Sequence, residues 1–500
     1  MTTDPTELTT ANVTPATRQK NTFFGDVLKL VSGTTLAQAI SFVLTPLITR
    51  LYAPEAYGTL AIFLSITGIF TVIACMRYDL AIMLPEHDEE AVNLLGASLG
   101  FAGLFSLLLV PILWLGRIPL LRLLNAEALS PYLWLVPLMV LLNGVFSAQN
   151  YWNTRTRHFG RLSIARVIGS ASTQVANLSS GYLGHATGGS LIGGTVVGQG
   201  IATVLLGGQI WKDDWRLFIK TVRWPAMRQM LKRYQKFPLY STWAALLNAI
   251  SWQLPVFLLS SFFSSTIVGY YALGFRILQM PMSLIGSAIA QVFFQRAAEA
   301  KPQGTLAPLA ENAFRWLVTV ALFQMLMLTI IGRDFYTLAF GQNWAEAGVY
   351  TQLLSIWAFF WFTSSPLSTL FSVLEKQEFD LRINVLLVVT RFISLIAGGA
   401  IGNPHIALLL FASSGILVYG YQVFAVMRNC GVPRSQVIRV YLSRFLSCLP
   451  YGAVVVVIYL LGLNVWVKMF IVALLSGVYV WRLVTYEMHL NVKTLLSRSG

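Results

Sequence analysis

Fourteen apolar stretches, each near 20 residues, decide what this chain can fold into. They cover 27–49, 56–84, 91–115, 131–152, 163–184, 190–211, 237–261, 266–294, 312–331, 347–371, 381–402, 404–426, 440–461 and 464–486. A stretch of that length, wound as an α-helix at about 1.5 Å per residue, crosses the hydrocarbon layer of a bilayer. Lipid supplies no partner for a bare peptide group, so the spans must be helical. An outer-membrane barrel would alternate over roughly ten-residue segments, and the sequence shows no such pattern. Only 11% of the 500 residues are charged and 56% are hydrophobic, where a soluble domain carries about a quarter charged. The expectation is an all-α polytopic membrane protein with fourteen transmembrane helices.

A formal net charge of +15 could suggest a nucleic-acid partner, but its distribution argues for topology instead. With the N-terminus on the cytosolic side, the basic segments share one face: "RTRHFGR" (155–161), "KDDWRLFIKTVRWPAMRQMLKRYQK" (212–236) and "RNCGVPRSQVIRVYLSR" (428–444). Those and their equivalents hold about two dozen Lys and Arg, against about five opposite (Arg50, Arg117, Arg122, Arg333, Lys468). Both termini are therefore expected in the cytosol, and no nucleic acid is needed to explain the charge. The polar stretch 1–22 reads as a cytosolic tail, because the apolar run behind it is too long for a signal-peptide core. The acidic turn "PEHDEE" (85–90) reads as solvated, and the longest outward loop, near 332–346, is too small for a catalytic domain.

Cys75, Cys430 and Cys448 lack ligand spacing and read as small buried hydrophobes. His87, His158, His185, His405 and His489 have no partner cysteine or His-Glu cluster. The phosphate-binding pattern G-x-x-x-x-G-K-[ST] is absent as well. No metal, cofactor or nucleophile is expected. Energy from a proton or sodium gradient is left open, with Asp79 as the intramembrane carboxylate to carry it.

A shift of about 210 residues brings out a repeat. "LAQAIS" (36–41) matches "LLNAIS" (246–251), and "YGTLAIF" (57–63) resembles "GYYALGF" (269–275), with Gly58 against Gly269. Six spans per repeat is an even number, so both halves enter from one side. The expected organisation is a tail (1–22), an N-lobe (23–211), a basic linker (212–236), a C-lobe (237–426) and two trailing helices within 427–500. Paired repeats with a site between them are the usual build of a secondary transporter. In the linker, Trp211, Trp215, Phe218, Trp224 and Met227 interleave with Lys and Arg, which suits a helix lying on the inner leaflet.

Charges inside the spans are the expensive feature. An Arg at a helix centre costs about 2.5–3.5 kcal/mol on insertion scales. Lys29, Arg50, Arg166 and Arg444 lie near predicted span ends, where they can snorkel. Arg276 in the eighth span and Arg391 in the eleventh lie too deep for that, so each must face protein or water. Their plain alternative is a guanidinium satisfied by carbonyls at a helix contact. Arg77 and Asp79, two apart in the second span, cannot share a helical face. An excess of central Arg over acid points to an anionic passenger, because the guanidinium fork suits phosphate and keeps its proton. Arg276, Arg391 and Arg77 are the candidate headgroup ligands; Asn143, Gln149, Gln174, Asn248 and Gln253 are candidate sugar contacts. Pro281, five residues past Arg276, is a candidate kink for a gate.

Three stretches resemble the polysaccharide (O-antigen and exopolysaccharide) flippases of the multidrug/oligosaccharidyl-lipid/polysaccharide exporter superfamily. They are "YGTLAIFLSITGIFTVIACMRYDLAIMLPEHDEEA", "NYWNTRTRHFGRLSIARVIGSASTQV" and "YQKFPLYSTWAALLNAISWQLPVFLLSSFFSSTIVGYYALGFRILQMPMSLIGSAIAQVFFQ". The resemblance runs over most of 23–426. It implies a bacterial inner-membrane carrier of undecaprenyl-pyrophosphate-linked oligosaccharide, with a polysaccharide polymerase and chain-length or export machinery as docking partners. "GYYALGFRILQMPMSLIG" is similar to the eighth helix of lipid II flippases, whose arginine at the position of Arg276 faces the central cavity. The arginines those flippases carry early in helix one have no counterpart in "SGTTLAQAISFVLTP". Two alternatives stand beside this reading: a cation-coupled multidrug antiporter of the same superfamily, and a membrane polysaccharide polymerase or acyltransferase. The first would want a cavity carboxylate, the second a large outward loop.

Overall fold

A computed structural model describes the backbone over 17–283 and 287–482 and at residue 485, with side chains over 33–283 and 293–482 and at 485. Most of the expected tail (1–16), the Lys29 side chain, His489 and nearly all of 483–500 lie outside the described residues. The N-terminal half contains α1 (Thr17–Leu51), α2 (Pro54–Ala74), α3 (Tyr78–Ala81), α4 (Asp88–Leu123), α5 (Leu135–Arg155), α6 (Phe159–Tyr182) and α7 (Gly188–Thr221). A short α8 (Trp224–Arg233) leads to α9 (Thr242–Phe262), α10 (Ser265–Pro281), α11 (Ser287–Ala300), α12 (Leu306–Phe340) and α13 (Ala345–Ser364). Then come α14 (Thr369–Val373), α15 (Gln377–Ile401), α16 (Pro404–Asn429), α17 (Arg434–Leu460) and α18 (Val465–Arg482). Among the described residues there is no strand, and eleven segments are long and apolar enough to cross a membrane. This is a multi-pass helical membrane protein. α5, α6 and α10 coincide with three further expected spans; α10 is short, at 17 residues, and α5 and α6 are more polar, α6 carrying Arg161 and Arg166.

Several expected spans differ from the helices that form. The second breaks after Ala74, because Met76 (φ 49°) and Arg77 (φ 61°) adopt left-handed backbone that ends a helix. Arg77 and Asp79 therefore do not sit on one continuous helix, and the facing argument made for them fails. In the eighth span the α-helical part runs to Pro281, which cannot donate to the ladder, and widens to π geometry at Met282 and Ser283; α11 is described from Ser287. Most of the expected loop 332–346 is helical, since α12 continues to Phe340. The sixth helix runs past 211 to Thr221, absorbing half of the expected linker.

The rest of that linker is tied to the N-lobe. Met230 is buried among Ile82, Leu95 and Leu206, the Tyr78 hydroxyl donates to the Leu231 carbonyl, and Arg233 pairs with Glu90 at 3.1 Å. Glu86, His87, Asp88 and Glu89 are exposed, as expected of a solvated turn, and Asp88 also accepts from Arg155 at 2.8 Å. Trp211, Trp215 and Trp224 stay exposed, as an inner-leaflet contact would require. One wide π-type turn, Phe237–Ser241, joins this unit to α9.

The two halves meet through α2 and α10, and the meeting is reciprocal. A Cβ on Gly58 would fall 1.6 Å from the Ser265 carbonyl oxygen, and one on Gly269 would fall 1.9 Å from the Pro54 carbonyl oxygen. Each glycine thus presses on the residue four before the other, the signature of a two-fold relation between repeats. Only hydrogen at both positions lets the backbones approach so closely. Further bonds cross between halves at this end: Trp344 Nε1 to the Thr49 carbonyl (2.8 Å), Arg50 to the Leu338 carbonyl (3.1 Å) and Asn125 to the Phe263 carbonyl (2.7 Å). The Tyr57 and Trp344 rings pack edge to face at 4.9 Å.

Candidate functional site

Three helices bring polar stripes to one place. On α1, Thr34, Gln38 and Ser41 recur at helical spacing; on α6, Arg166 and Ser170 are four apart; on α10, Arg276 and Gln279 are three apart, with Ser283 just past its end. These residues line a cavity of about 520 Å³ at the seam between the halves, with α1 and α6 on one side and α10 on the other. Among the described residues no carboxylate lines it, and the two guanidinium groups of Arg166 and Arg276 give it a positive potential.

Arg276 is exposed into this space, without a carboxylate partner or a hydrogen bond among the described residues. Arg166 is held from behind: its Nη1 donates to Thr34 Oγ1 at 2.7 Å and its Nη2 to Asn150 Oδ1 at 3.0 Å. The cavity wall is also internally bonded. Ser170 donates to the Ala37 carbonyl at 2.8 Å and lies 3.0 Å from Ser41, which accepts from Gln174 Nε2 at 2.9 Å. Such a wall presents fixed dipoles rather than adjustable ones, which lowers the reorganisation needed to receive an anion.

Of the other expected headgroup ligands, neither lines the cavity. Arg391 is 3% exposed inside the C-lobe, where it donates to the Tyr419 hydroxyl at 2.8 Å and stacks over Trp252 at 4.8 Å. Among the described residues its Nε has no partner and no carboxylate pairs with it. A guanidinium locked between aromatic rings is the plain alternative for Arg391, with hydroxyl and ring in place of carbonyls. Arg77 sits at the break after α2, with its Nε buried and unpartnered. Asp79 is 5% exposed; Ser147 donates to its Oδ2 at 2.6 Å while its Oδ1 has no partner.

The expected sugar contacts scatter. Gln174 stands directly behind the cavity wall through Ser41. Gln253 accepts from Ser65 at 2.8 Å and so bridges the two halves. Asn143 reaches Thr71 at 3.4 Å, Gln149 is buried close to Gly207 on α7, and Asn248 is exposed on α9 away from the cavity. Arg166, by contrast, was expected to snorkel and instead faces the cavity. The signal for it was present: Arg166, Ser170 and Gln174 form a polar stripe at four-residue spacing along an apolar helix.

A second hollow, also about 520 Å³, is almost wholly apolar. It lies among α12, α13, α16 and α17, with Leu322, Met325, Phe359, Phe424, Tyr441 and Phe445 in its walls.

The family model described as polysaccharide biosynthesis protein matches residues 47–349, more than half of the chain. The chain belongs to that family. Within reach of this polysaccharide biosynthesis protein is a Klebsiella pneumoniae "uncharacterized membrane protein in cps region", 27% identical over 207 residues. The match spans 40% of this chain and 42% of that relative, less than half of its length. Among solved structures, the lipid II flippase MurJ in an inward closed conformation superposes with a TM-score of 0.70 at 13% identity, over 91% of this chain and 99% of that one. An inward-facing multidrug resistance MATE family transporter of the MOP superfamily gives 0.59 at 16% identity, over 80% and 96%. At those identities the likeness establishes a shared fold.

Proposed function

We propose that this polysaccharide biosynthesis protein moves a lipid-linked, anionic oligosaccharide across the bacterial inner membrane by rocking one lobe against the other. The observation that carries the reading is Arg276, exposed in a cavity at the lobe seam and, among the described residues, without a carboxylate beside it. Bare phosphate transfer into hydrocarbon costs on the order of tens of kcal/mol, so a wet, cationic chamber is what such a headgroup requires. The apolar hollow beside α17 suits a prenyl tail that stays in lipid while the headgroup crosses. A polyprenyl pyrophosphate-linked repeat unit for surface or exopolysaccharide carries both parts. A multidrug antiporter wants a carboxylate in its cavity, and this lining carries none.

The basic-residue asymmetry supports cytosolic termini, and it makes the sealed Gly58–Gly269 end periplasmic. Export of negative charge is then downhill in an inside-negative membrane, by about 2.3 kcal/mol per charge per 100 mV. Asp79 is the candidate for any ion coupling, being the buried carboxylate among the described residues and having one free oxygen. Deletion of the gene should leave lipid-linked repeat units on the cytosolic leaflet with drug sensitivity unchanged. Complementation with Arg276→Ala should give no surface polysaccharide at normal protein level, and Arg276→Lys should restore part of it. Full activity of the alanine variant would remove Arg276 from the mechanism.

A further inference from the structure

Resting on the anionic-substrate reading above, we propose that Arg166 is the N-lobe half of the headgroup site and makes it selective for a diphosphate over a monophosphate. Arg166 and Arg276 line the same cavity from opposite lobes. A headgroup that meets only one of them leaves the other guanidinium without an anionic partner. Two linked phosphate groups can answer both.

What surrounds Arg166 separates it from its neighbours. Arg155 pairs with Asp88, Arg161 with Asp213 and Arg233 with Glu90, so arginines nearby in the N-lobe are matched by carboxylates. Arg166 is held by two neutral acceptors, Thr34 and Asn150. Neutral acceptors fix the plane of the guanidinium without cancelling its charge. Arginine carries five N–H donors, and these bonds engage two, leaving three for a ligand. The arrangement therefore combines an undiminished charge with a preset orientation, which suits forked recognition of phosphate oxygens. Because Thr34 lies on α1 and Asn150 on α5, the same bonds report the packing of three N-lobe helices to the site.

The assay uses purified full-length protein in nanodiscs, with farnesyl diphosphate and farnesyl monophosphate as probes and tryptophan fluorescence as the readout. Wild type should bind the diphosphate about tenfold more tightly, the scale of one additional charge-assisted contact. Arg166→Ala should bring the two affinities to within about twofold, while Arg166→Lys retains part of the preference. Asn150→Ala, which keeps the charge but frees its orientation, should fall between them. Arg166→Gln serves where the alanine variant does not fold. A residue that merely staples α6 to α1 would lower the unliganded thermal midpoint and leave the affinity ratio alone. A wild-type ratio in Arg166→Ala or Arg166→Gln would overturn the assignment. A wild type that binds neither probe would overturn the anionic-substrate reading, and the assignment with it.

Discussion

Adding a methyl group at Gly58 should unseal the end where α2 meets α10. The new Cβ would sit 1.6 Å from the Ser265 carbonyl oxygen, where ordinary contact begins near 3.4 Å. Backbone cannot rotate away as a side chain can, so α2 and α10 must separate locally by roughly 2 Å. Overpacking of this kind costs about 1–3 kcal/mol. Spent against the sealed state alone, that shifts the open-to-sealed ratio roughly 5- to 150-fold. Gly269→Ala should do the same, because its Cβ meets the Pro54 carbonyl oxygen at 1.9 Å. Both substitutions strain one contact, so the double variant should cost clearly less than the sum of the singles. Ser65→Cys gives the probe: Ser65 is 3% exposed between the halves, and Cys75, Cys430 and Cys448 are all buried. Labelling by a membrane-impermeant maleimide should accelerate in either alanine variant. Unchanged labelling, or strictly additive costs in the double variant, would refute the reasoning.

Two further tests concern buried charge. Arg391→Ala should lower stability by about 2–4 kcal/mol, because it empties a packed site and strands the Tyr419 hydroxyl; Arg391→Met, similar in length, should cost much less. Neither should weaken anionic-probe binding by the folded protein, and a large loss of affinity in Arg391→Met would return this residue to the site. Ser147→Ala removes the hydroxyl that donates to Asp79 and should cost about 1.5–3 kcal/mol in a denaturation assay. Adding Asp79→Asn should recover most of that, since no buried carboxylate is left unserved; failure to recover would mean Ser147 acts elsewhere.

Hydropathy made the helical, membrane-spanning character legible, because apolar run length answers directly to the thickness of lipid. The glycine correspondence in the repeat, Gly58 with Gly269, was legible too, and the fold places those two residues against each other. Helix ends were not. The break after Ala74 depends on two non-glycine residues in left-handed backbone, which no local sequence rule demands. Depth along a span located Arg276 and Arg391 equally well but could not say which way each faces. That is settled by neighbours distant in sequence: Tyr419 and Trp252 enclose Arg391, whereas α1 and α6 leave space before Arg276. Arg166 was misjudged for a related reason. Its depth permitted an escape to water at the membrane edge, and that reading left out the Arg166–Ser170–Gln174 stripe on α6.

The way α8 clings to the N-lobe limits how the molecule can move. With Met230 sunk among N-lobe side chains and Arg233 fastened to Glu90, almost the whole connection between the lobes travels with the first of them. The piece left to bend is the wide π-helical turn Phe237–Ser241, where Pro238 lacks a ladder donor. Any tilt of one lobe must be absorbed there, so the connector works as a stiff crank with one joint rather than as a flexible leash.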